Sequence, residues 1–135
     1  MQFNNDKTVR EIADCADRYE KALADNDVVA LDNFFWDGPE VVRYGVGENL
    51  YGGEEIAAFR RARQGGSPPR TVLRRHITCM GDDIAVVSLE FRREGSQRIG
   101  RQMQTWVRID GQWKIIAAHV SLMAQQSEAA GPAAS

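Results

Sequence analysis

The sequence predicts an α+β domain in which helices pack on the concave face of a curved, mostly antiparallel sheet. Three observations support this fold class. Helical periodicity dominates the first part of the chain, strand-like alternation follows from residue 70 to residue 122, and Asp110-Gly111 marks a tight hairpin between the last two strands. A long first helix lying across such a sheet would enclose a conical cavity.

The N-terminal part of the chain predicts three helices and one short strand. Apolar residues recur at helical spacing over 6–25, and Asn26-Asp27 ends this helix and caps a second one over 28–35. An extended segment over 40–44 follows, and then an irregular loop rich in glycine. A third helix over 54–63 has glutamates in its first turn and arginines in its last, which the helix dipole favours.

The C-terminal part predicts a four-strand meander, with strands over about 70–80, 83–93, 98–108 and 113–122. Pairing the last two strands about Asp110-Gly111 places successive residues on alternate faces. The first face combines tryptophans with amide, imidazole and hydroxyl groups, as a small-molecule pocket does. It carries Gln102, Gln104, Trp106, Trp113, Ile115, Ala117, His119 and Ser121.

Composition limits the partners and the location that we expect. The 135 residues predict a single domain over 1–126, followed by a disordered tail over 127–135. The net charge of −2 gives no footprint for nucleic acid, and the apolar runs are too short to span a membrane. The polar N-terminus is unlike a signal peptide. Two distant cysteines fit a reduced cytoplasm, so we expect a cytoplasmic protein.

The sequence offers no motif for a metal, an organic cofactor or a covalent nucleophile. The two histidines, His76 and His119, form no His-x-x-x-His pair, and there is no Cys-x-x-Cys. Neither a Gly-x-Ser-x-Gly elbow nor a glycine pattern for phosphates is present. Ser67 follows two glycines in a proline-rich segment, which we interpret as a loop. We therefore expect no metal and no cofactor.

Two residues in the N-terminal part are candidates for anion binding and catalysis. Arg43 lies in the short strand VVRYG, where an arginine usually extends to solvent. If it points inward, it needs a negative partner, and a ligand carboxylate would fit its two-pronged guanidinium. Tyr19 falls on the apolar face of the first helix, and its buried hydroxyl would need a hydrogen-bond partner.

The remaining candidates each have a structural and a functional interpretation. His119 is a core histidine or, beside Gln102, a pocket residue. Trp106 and Trp113 are core residues or a platform for a ligand. A cluster of arginines either forms a solvent-exposed face or attracts an anionic substrate. Its members are Arg60, Arg61, Arg63, Arg70, Arg74 and Arg75.

Three segments taken together resemble one protein family. They are RYEKALADND (18–27), VRYGVGENLYG (42–52) and the hairpin GRQMQTWVR with WKIIAAHVS (100–108 and 113–121). In this order they are similar to the AtzH/HpxZ group of the SnoaL-like superfamily, also called nuclear-transport-factor-2-like or cystatin-like. The resemblance covers residues 5 to 123. One departure is Met103, where the group commonly has serine.

The resemblance implies a dimeric, cofactor-free, cystatin-like cone and a small-molecule amidohydrolase. The implied substrate is a short dicarboxylated urea, 1,3-dicarboxyurea, converted to allophanate with release of ammonia in cyanuric acid breakdown. The tyrosine and arginine of the group's pocket match Tyr19 and Arg43, which we predict to be catalytic. Gln102, Gln104, His119 and Trp106 are predicted to bind the small anionic substrate.

Two other functions remain open at this point. The chain is alternatively a non-catalytic accessory dimer that works with a separate amidase in oxalurate or cyanuric acid breakdown, because a fold does not fix a function. A dehydratase or isomerase is disfavoured, because no inward aspartate partner for His119 is evident. A two-fold dimer is expected through the second face of the sheet, where apolar residues include Met103, Val107, Ile116, Ala118 and Val120.

Overall fold

The computed structural model describes residues 1–125, so the predicted disordered tail lies outside the described residues. Within that range the chain forms three helices and a six-stranded sheet. The helices are α1 (Asp6–Asp25), α2 (Val28–Phe34) and α3 (Gly52–Ala62). The strands are β1 (Val42–Tyr44), β2 (Asn49–Tyr51), β3 (Arg70–Met80), β4 (Ile84–Arg93), β5 (Gly100–Ile109) and β6 (Gln112–Leu122). The predicted α+β class, with helices on a mostly antiparallel sheet, is confirmed.

The long helix α1 has the bounds that its periodicity predicts. Asn5 caps its start by accepting hydrogen bonds from the backbone nitrogens of Lys7 and Thr8, at 3.0 and 3.3 Å. Asn26 ends it in the left-handed conformation, with φ of 51°. Its apolar face is buried against the sheet, and Tyr19 lies on that face. No helix within residues 1–125 has the length and apolar character needed to cross a membrane.

The sheet runs in the order β2-β1-β6-β5-β4-β3. The four long strands form the predicted antiparallel meander, and β1 joins it by pairing in parallel with β6. The hairpin partner β2 was not predicted, because a three-residue strand is too short to show alternation in a glycine-rich segment. A tight turn closes this hairpin, with the nitrogen of Gly45 donating to the oxygen of Glu48 at 2.8 Å.

An irregularity in the last hairpin decides which side chains face the cavity. Trp106 pairs with Ile115, but the preceding Thr105 pairs with Ala117, so Ile116 is an extra residue in β6. Beyond this bulge every residue of β6 lies on the opposite face from the one predicted by simple alternation.

The bulge corrects two predictions about the faces of β6. Ala118 and Val120 are buried on the inner face, at 7% and 8% exposure, and do not belong to the outer face on which the dimer was predicted. His119 lies instead on the outer face, directly opposite Met103 of β5, and is exposed. The outer face is therefore more polar than the sequence predicts, although Met103 itself is 55% exposed.

Candidate functional site

A small, partly enclosed pocket of about 40 Å³ lies between the second half of α1, helix α3 and the inner face of the sheet. Five of the six strands contribute a side chain to it or border it. Its lining contains five arginines and no acidic residue. The lining residues are Tyr19, Leu23, Arg43, Ile56, Phe59, Arg60, Arg63, Ser67, Arg70, Arg93, Gln102 and Val120.

Two of the arginines are held by carboxylates beside the pocket. Arg43 of β1 donates to Glu48 at 2.8 Å, so the short β1–β2 hairpin fixes its guanidinium. Arg70 of β3 makes a two-pronged ion pair with Glu20 of α1, and its side chain is only 7% exposed. The same guanidinium donates to Gln102 Oε1 at 3.0 Å. Both arginines are thus oriented by the fold before any ligand arrives.

A third arginine, Arg60 of α3, is buried at 6% exposure and forms an ion pair of 2.6 Å with Asp32 of α2. Its guanidinium also lies 5.1 Å from the centre of the Phe35 ring. This contact joins the two shorter helices at the wall of the pocket. The ion pair neutralises Arg60, since a buried charge needs a partner of opposite sign.

The remaining two arginines have no ion-pair partner among residues 1–125. Arg63 follows the end of α3, and its Nε atom is buried without a hydrogen bond. Burial, followed by the charges of Arg43 and Arg60, lowers the pKa of the Arg63 guanidinium. Burial and then the charge of Arg70 likewise lower the pKa of Arg93 in β4. These two arginines leave the pocket with uncompensated positive charge.

Aromatic rings lie beneath all five guanidiniums. Such contacts are attractive because a cation is drawn to the electron-rich face of a ring. Phe59 lies 5.8 Å from Arg43 and 5.5 Å from Arg63, Phe91 lies 4.6 Å from Arg70 and 5.9 Å from Arg93, and Phe35 lies under Arg60 as described.

Tyr19 is the candidate proton donor of the pocket. It is 5% exposed, and its ring meets Phe34 edge-on at 5.7 Å and is tilted against Phe35 at 6.4 Å. Its hydroxyl makes no hydrogen bond within the described part of the chain. The hydroxyl oxygen keeps some accessible surface, so it is open to the pocket, where a ligand can be its hydrogen-bond partner.

Gln102 and Gln104 follow each other on the inner face of β5, and each has a buried amide nitrogen without a hydrogen bond within residues 1–125. Gln102 lines the arginine-rich pocket. Gln104 lies behind it and lines a second cavity of about 180 Å³, which it shares with Tyr19. Its Oε1 accepts a hydrogen bond of 3.2 Å from Trp106 Nε1.

The structure brings together three of the six predicted site residues. Tyr19, Arg43 and Gln102 line one pocket, and Gln104 lines the adjacent cavity. The prediction for Trp106 was wrong, because this side chain is fully buried in the core.

The prediction for His119 was also wrong, because the bulge at Ile116 turns it to the outer face. There its ring meets the Tyr44 ring edge-on at 5.8 Å.

The arginine cluster of the sequence divides into two groups. Arg60, Arg63 and Arg70 line the pocket, as the anion-attracting interpretation requires. Arg61, Arg74 and Arg75 are exposed, as the solvated interpretation requires. Two further polar lining residues were not predicted. Arg93 lies on the next strand, well beyond Arg75, the last member of this cluster, and Ser67 belongs to the segment interpreted as a loop. Only the fold shows that they share the pocket.

The chemistry available here is that of an anion site with two hydroxyl donors, Tyr19 and Ser67. Within residues 1–125 no group of three histidine, cysteine or acidic side chains is placed to hold a metal ion. The buried thiols of Cys15 and Cys79 have a raised pKa because of burial, so they are poor nucleophiles.

Solved structures of similar proteins share this fold. A protein of unknown function from the DUF3225 family of Pectobacterium atrosepticum is 52% identical, with a TM-score of 0.87 over 90% of this chain and 95% of that one. A cystatin-like fold protein from Burkholderia xenovorans is 42% identical, with a TM-score of 0.88 over 92% and 98%. No curated protein matches the chain.

More distant structures extend the likeness at the level of fold alone. A nuclear-transport-factor-2-like protein from Pseudomonas putida is 18% identical, with a TM-score of 0.70 over 83% of this chain and 84% of that one. The sequence model of the AtzH-like family matches residues 1–126, which include every residue of the pocket. The chain therefore belongs to the AtzH-like family.

Proposed function

We propose that the chain is a cofactor-independent amidohydrolase that acts on a short dicarboxylated urea, with 1,3-dicarboxyurea as its substrate. The observation that carries the proposal is that Tyr19 and Arg43 line one pocket whose lining includes four further arginines and no carboxylate. Such a pocket favours a small, doubly charged anion. Membership of the AtzH-like family supports the same substrate class.

The balance of atoms corrects the expected products. Both nitrogens of 1,3-dicarboxyurea are retained in allophanate, so the expectation of ammonia release is wrong. The bond that breaks joins a terminal carboxyl carbon to a urea nitrogen. If water attacks, its oxygen joins that carbon, bicarbonate leaves, and the nitrogen gains a proton. If the bond breaks by elimination, carbon dioxide leaves and the nitrogen gains a proton from the Tyr19 hydroxyl, which solvent then replaces.

In this scheme Arg43 and Tyr19 have different tasks. Arg43 uses one arm of its guanidinium for Glu48 and keeps other N–H donors for a substrate carboxylate. Tyr19 donates a hydrogen bond to the urea carbonyl as negative charge develops, or passes a proton to the leaving nitrogen.

The test is to incubate the purified protein with freshly generated 1,3-dicarboxyurea and follow allophanate and bicarbonate by carbon-13 NMR. We expect formation of allophanate above the spontaneous rate. Tyr19→Phe should lower kcat about 100-fold, the usual size of a lost acid–base or hydrogen-bonding group. Tyr44→Phe is the matched control, because it removes a hydroxyl that lies outside the pocket and bonds to Tyr51 at 3.0 Å.

Two outcomes would contradict the proposal. If Tyr19→Phe and Arg43→Gln leave turnover unchanged, the chemistry does not occur in this pocket. If the protein alone gives no allophanate above background, the accessory role is favoured. Co-purification with a separate amidase, and turnover only in the mixture, would then support that role.

A further inference from the structure

The pocket contains three unpartnered groups that the proposed roles of Tyr19 and Arg43 do not use. Arg63 and Arg93 have no ion pair, and Gln102 Nε2 has no hydrogen-bond acceptor, within residues 1–125. Gln102 is 3% exposed, so bulk water does not accept a hydrogen bond from its amide nitrogen. All three line the same pocket. Arg63 Nε and Gln102 Nε2 are buried donors without acceptors, which is costly, and their place beside the unpaired, half-buried Arg93 needs an explanation.

We propose that Arg63, Arg93 and Gln102 form a second carboxylate subsite, distinct from Arg43, so that the pocket grips a small dianion at both ends. This deepens the proposed function by assigning the second charged group of the substrate, and it rests on that function only in placing the first carboxylate at Arg43. The subsite makes Arg63 and Arg93 specificity-determining residues.

The charges around the pocket support a dianion over a monoanion. Five guanidiniums face three paired carboxylates, those of Glu48, Asp32 and Glu20. Two positive charges therefore remain, and they belong to Arg63 and Arg93. One carboxylate at Arg43 would leave both of these without a counter-charge. A second carboxylate placed between them would accept several charge-assisted hydrogen bonds at once.

An ordinary solvated arginine would not account for these features. Solvent-exposed guanidiniums are common and need no partner, because water satisfies their N–H groups. Arg61 has a side chain that is 64% exposed, and its guanidinium also lies 3.5 Å from the carboxylate of Asp32. Arg63, two positions further, instead has a buried Nε without a partner, and its guanidinium lies 5.5 Å from the Phe59 ring inside the pocket. The missing partner is thus an anion that enters the pocket.

The test measures binding of unreactive ligands by calorimetry, so it does not depend on turnover. Malonate, succinate and glutarate are titrated first, and the best of them is then compared with its monoamide, which has the same length but one charge. We expect the dicarboxylate to bind at least about tenfold more tightly than the monoamide, the size of one charge-assisted hydrogen bond. In Arg63→Gln and Arg93→Gln this ratio should fall to about one.

Arg61→Gln is the matched control, because it removes an exposed arginine from the same segment and should leave the ratio unchanged. Thermal unfolding of each variant shows that it is folded. The proposal is overturned if no dicarboxylate binds, or if dicarboxylate and monoamide bind alike. It is also overturned if inorganic phosphate binds as tightly as the dicarboxylate with the same arginine dependence, because one anion would then fill the site.

The outcomes also separate this proposal from the proposed function. Discrimination between dicarboxylate and monoamide without turnover of 1,3-dicarboxyurea would retain the second subsite and reject the amidohydrolase. Turnover that Arg63→Gln and Arg93→Gln leave unchanged, with no discrimination in binding, would retain the enzyme and reject the subsite.

Discussion

Replacing Arg63 with methionine should make the ligand-free protein more stable while removing its preference for dianions. The buried Nε of Arg63 has no acceptor within residues 1–125, and the neighbouring charges of Arg43 and Arg60 repel its guanidinium. Methionine has a similar length and carries neither the charge nor the unsatisfied donor. A residue kept at a cost to stability is typical of a functional site.

The size of the effect follows from three contributions. Removing a buried, unsatisfied donor gains about 1–3 kcal/mol. Losing the contact between the guanidinium and the Phe59 ring costs about 0.5–1 kcal/mol, because such an interaction is partly exposed. Methionine recovers part of this by packing its sulfur on the ring. We therefore expect Arg63→Met to raise the free energy of unfolding by about 1 kcal/mol.

Urea denaturation at neutral pH measures this change, with the midpoint and the slope fitted separately. Arg61→Met is the control and should change stability by less than about 0.5 kcal/mol, because its side chain is exposed. At one fixed concentration, a dicarboxylate should stabilise the wild type more than Arg63→Met, which keeps only the carboxylate contact at Arg43. A loss of stability in Arg63→Met, with an unchanged slope, would refute the reasoning.

Three further predictions concern the frame of the pocket and the assembly. Glu11 accepts hydrogen bonds from Trp113 and Arg108, and these hold its pKa below the ordinary value of 4.5, with Trp113 having the larger effect. Glu11→Gln should therefore lower the free energy of unfolding by about 1 kcal/mol at neutral pH. In urea denaturation this difference from the wild type should vanish as the pH falls below 4.5 and through the lower pKa of the folded state. A constant difference would contradict this assignment. A Cβ at Gly100 would lie 2.3–2.6 Å from atoms of the Phe91 ring, so Gly100→Ala should lower the free energy of unfolding by about 1–3 kcal/mol and weaken anion binding. Gly47→Ala is the control, because a Cβ there meets nothing within 4 Å, and it should have neither effect. Equal shifts in the melting temperature of the two variants would count against the clash. Finally, we propose a two-fold dimer through the outer face of the sheet; light scattering should give a dimer for wild type and a monomer for Met103→Glu, and a monomeric wild type would reject the interface.

The sequence was sufficient to predict the elements that depend on local patterns. Apolar spacing gave the bounds of α1, and alternation gave the four long strands to within about two residues. The sequence was not sufficient where one extra residue in a strand reverses the alternation of side chains between the two faces of the sheet. The extra residue Ile116 lies in a run of consecutive apolar residues, so no polar residue marks the point at which the two faces of β6 exchange. Simple alternation therefore placed His119 in the pocket and Val120 outside, which is the reverse of the observed arrangement.

The pocket was predictable only in part for a similar reason. Tyr19 and Arg43 were identified because each is a polar group in an apolar local pattern. Arg93 has no such mark, because it lies at the end of a strand beside two other charged residues. Its place in the pocket depends on the pairing of β4 with β5 and on the Phe91 ring beneath it. These are long-range contacts that local patterns do not encode.

The aromatic rings beneath the five arginines also bear on how selectively the pocket discriminates. Holding a flexible side chain still on binding costs about 0.5–1.5 kcal/mol, and much of this cost is absent when packing already restricts the side chain. The guanidiniums of Arg70 and Arg93, which share the Phe91 ring, are restricted in this way. Rigid sites adapt poorly. Ligands with the wrong distance between their charges should therefore lose affinity abruptly, since the pocket cannot reshape itself around them.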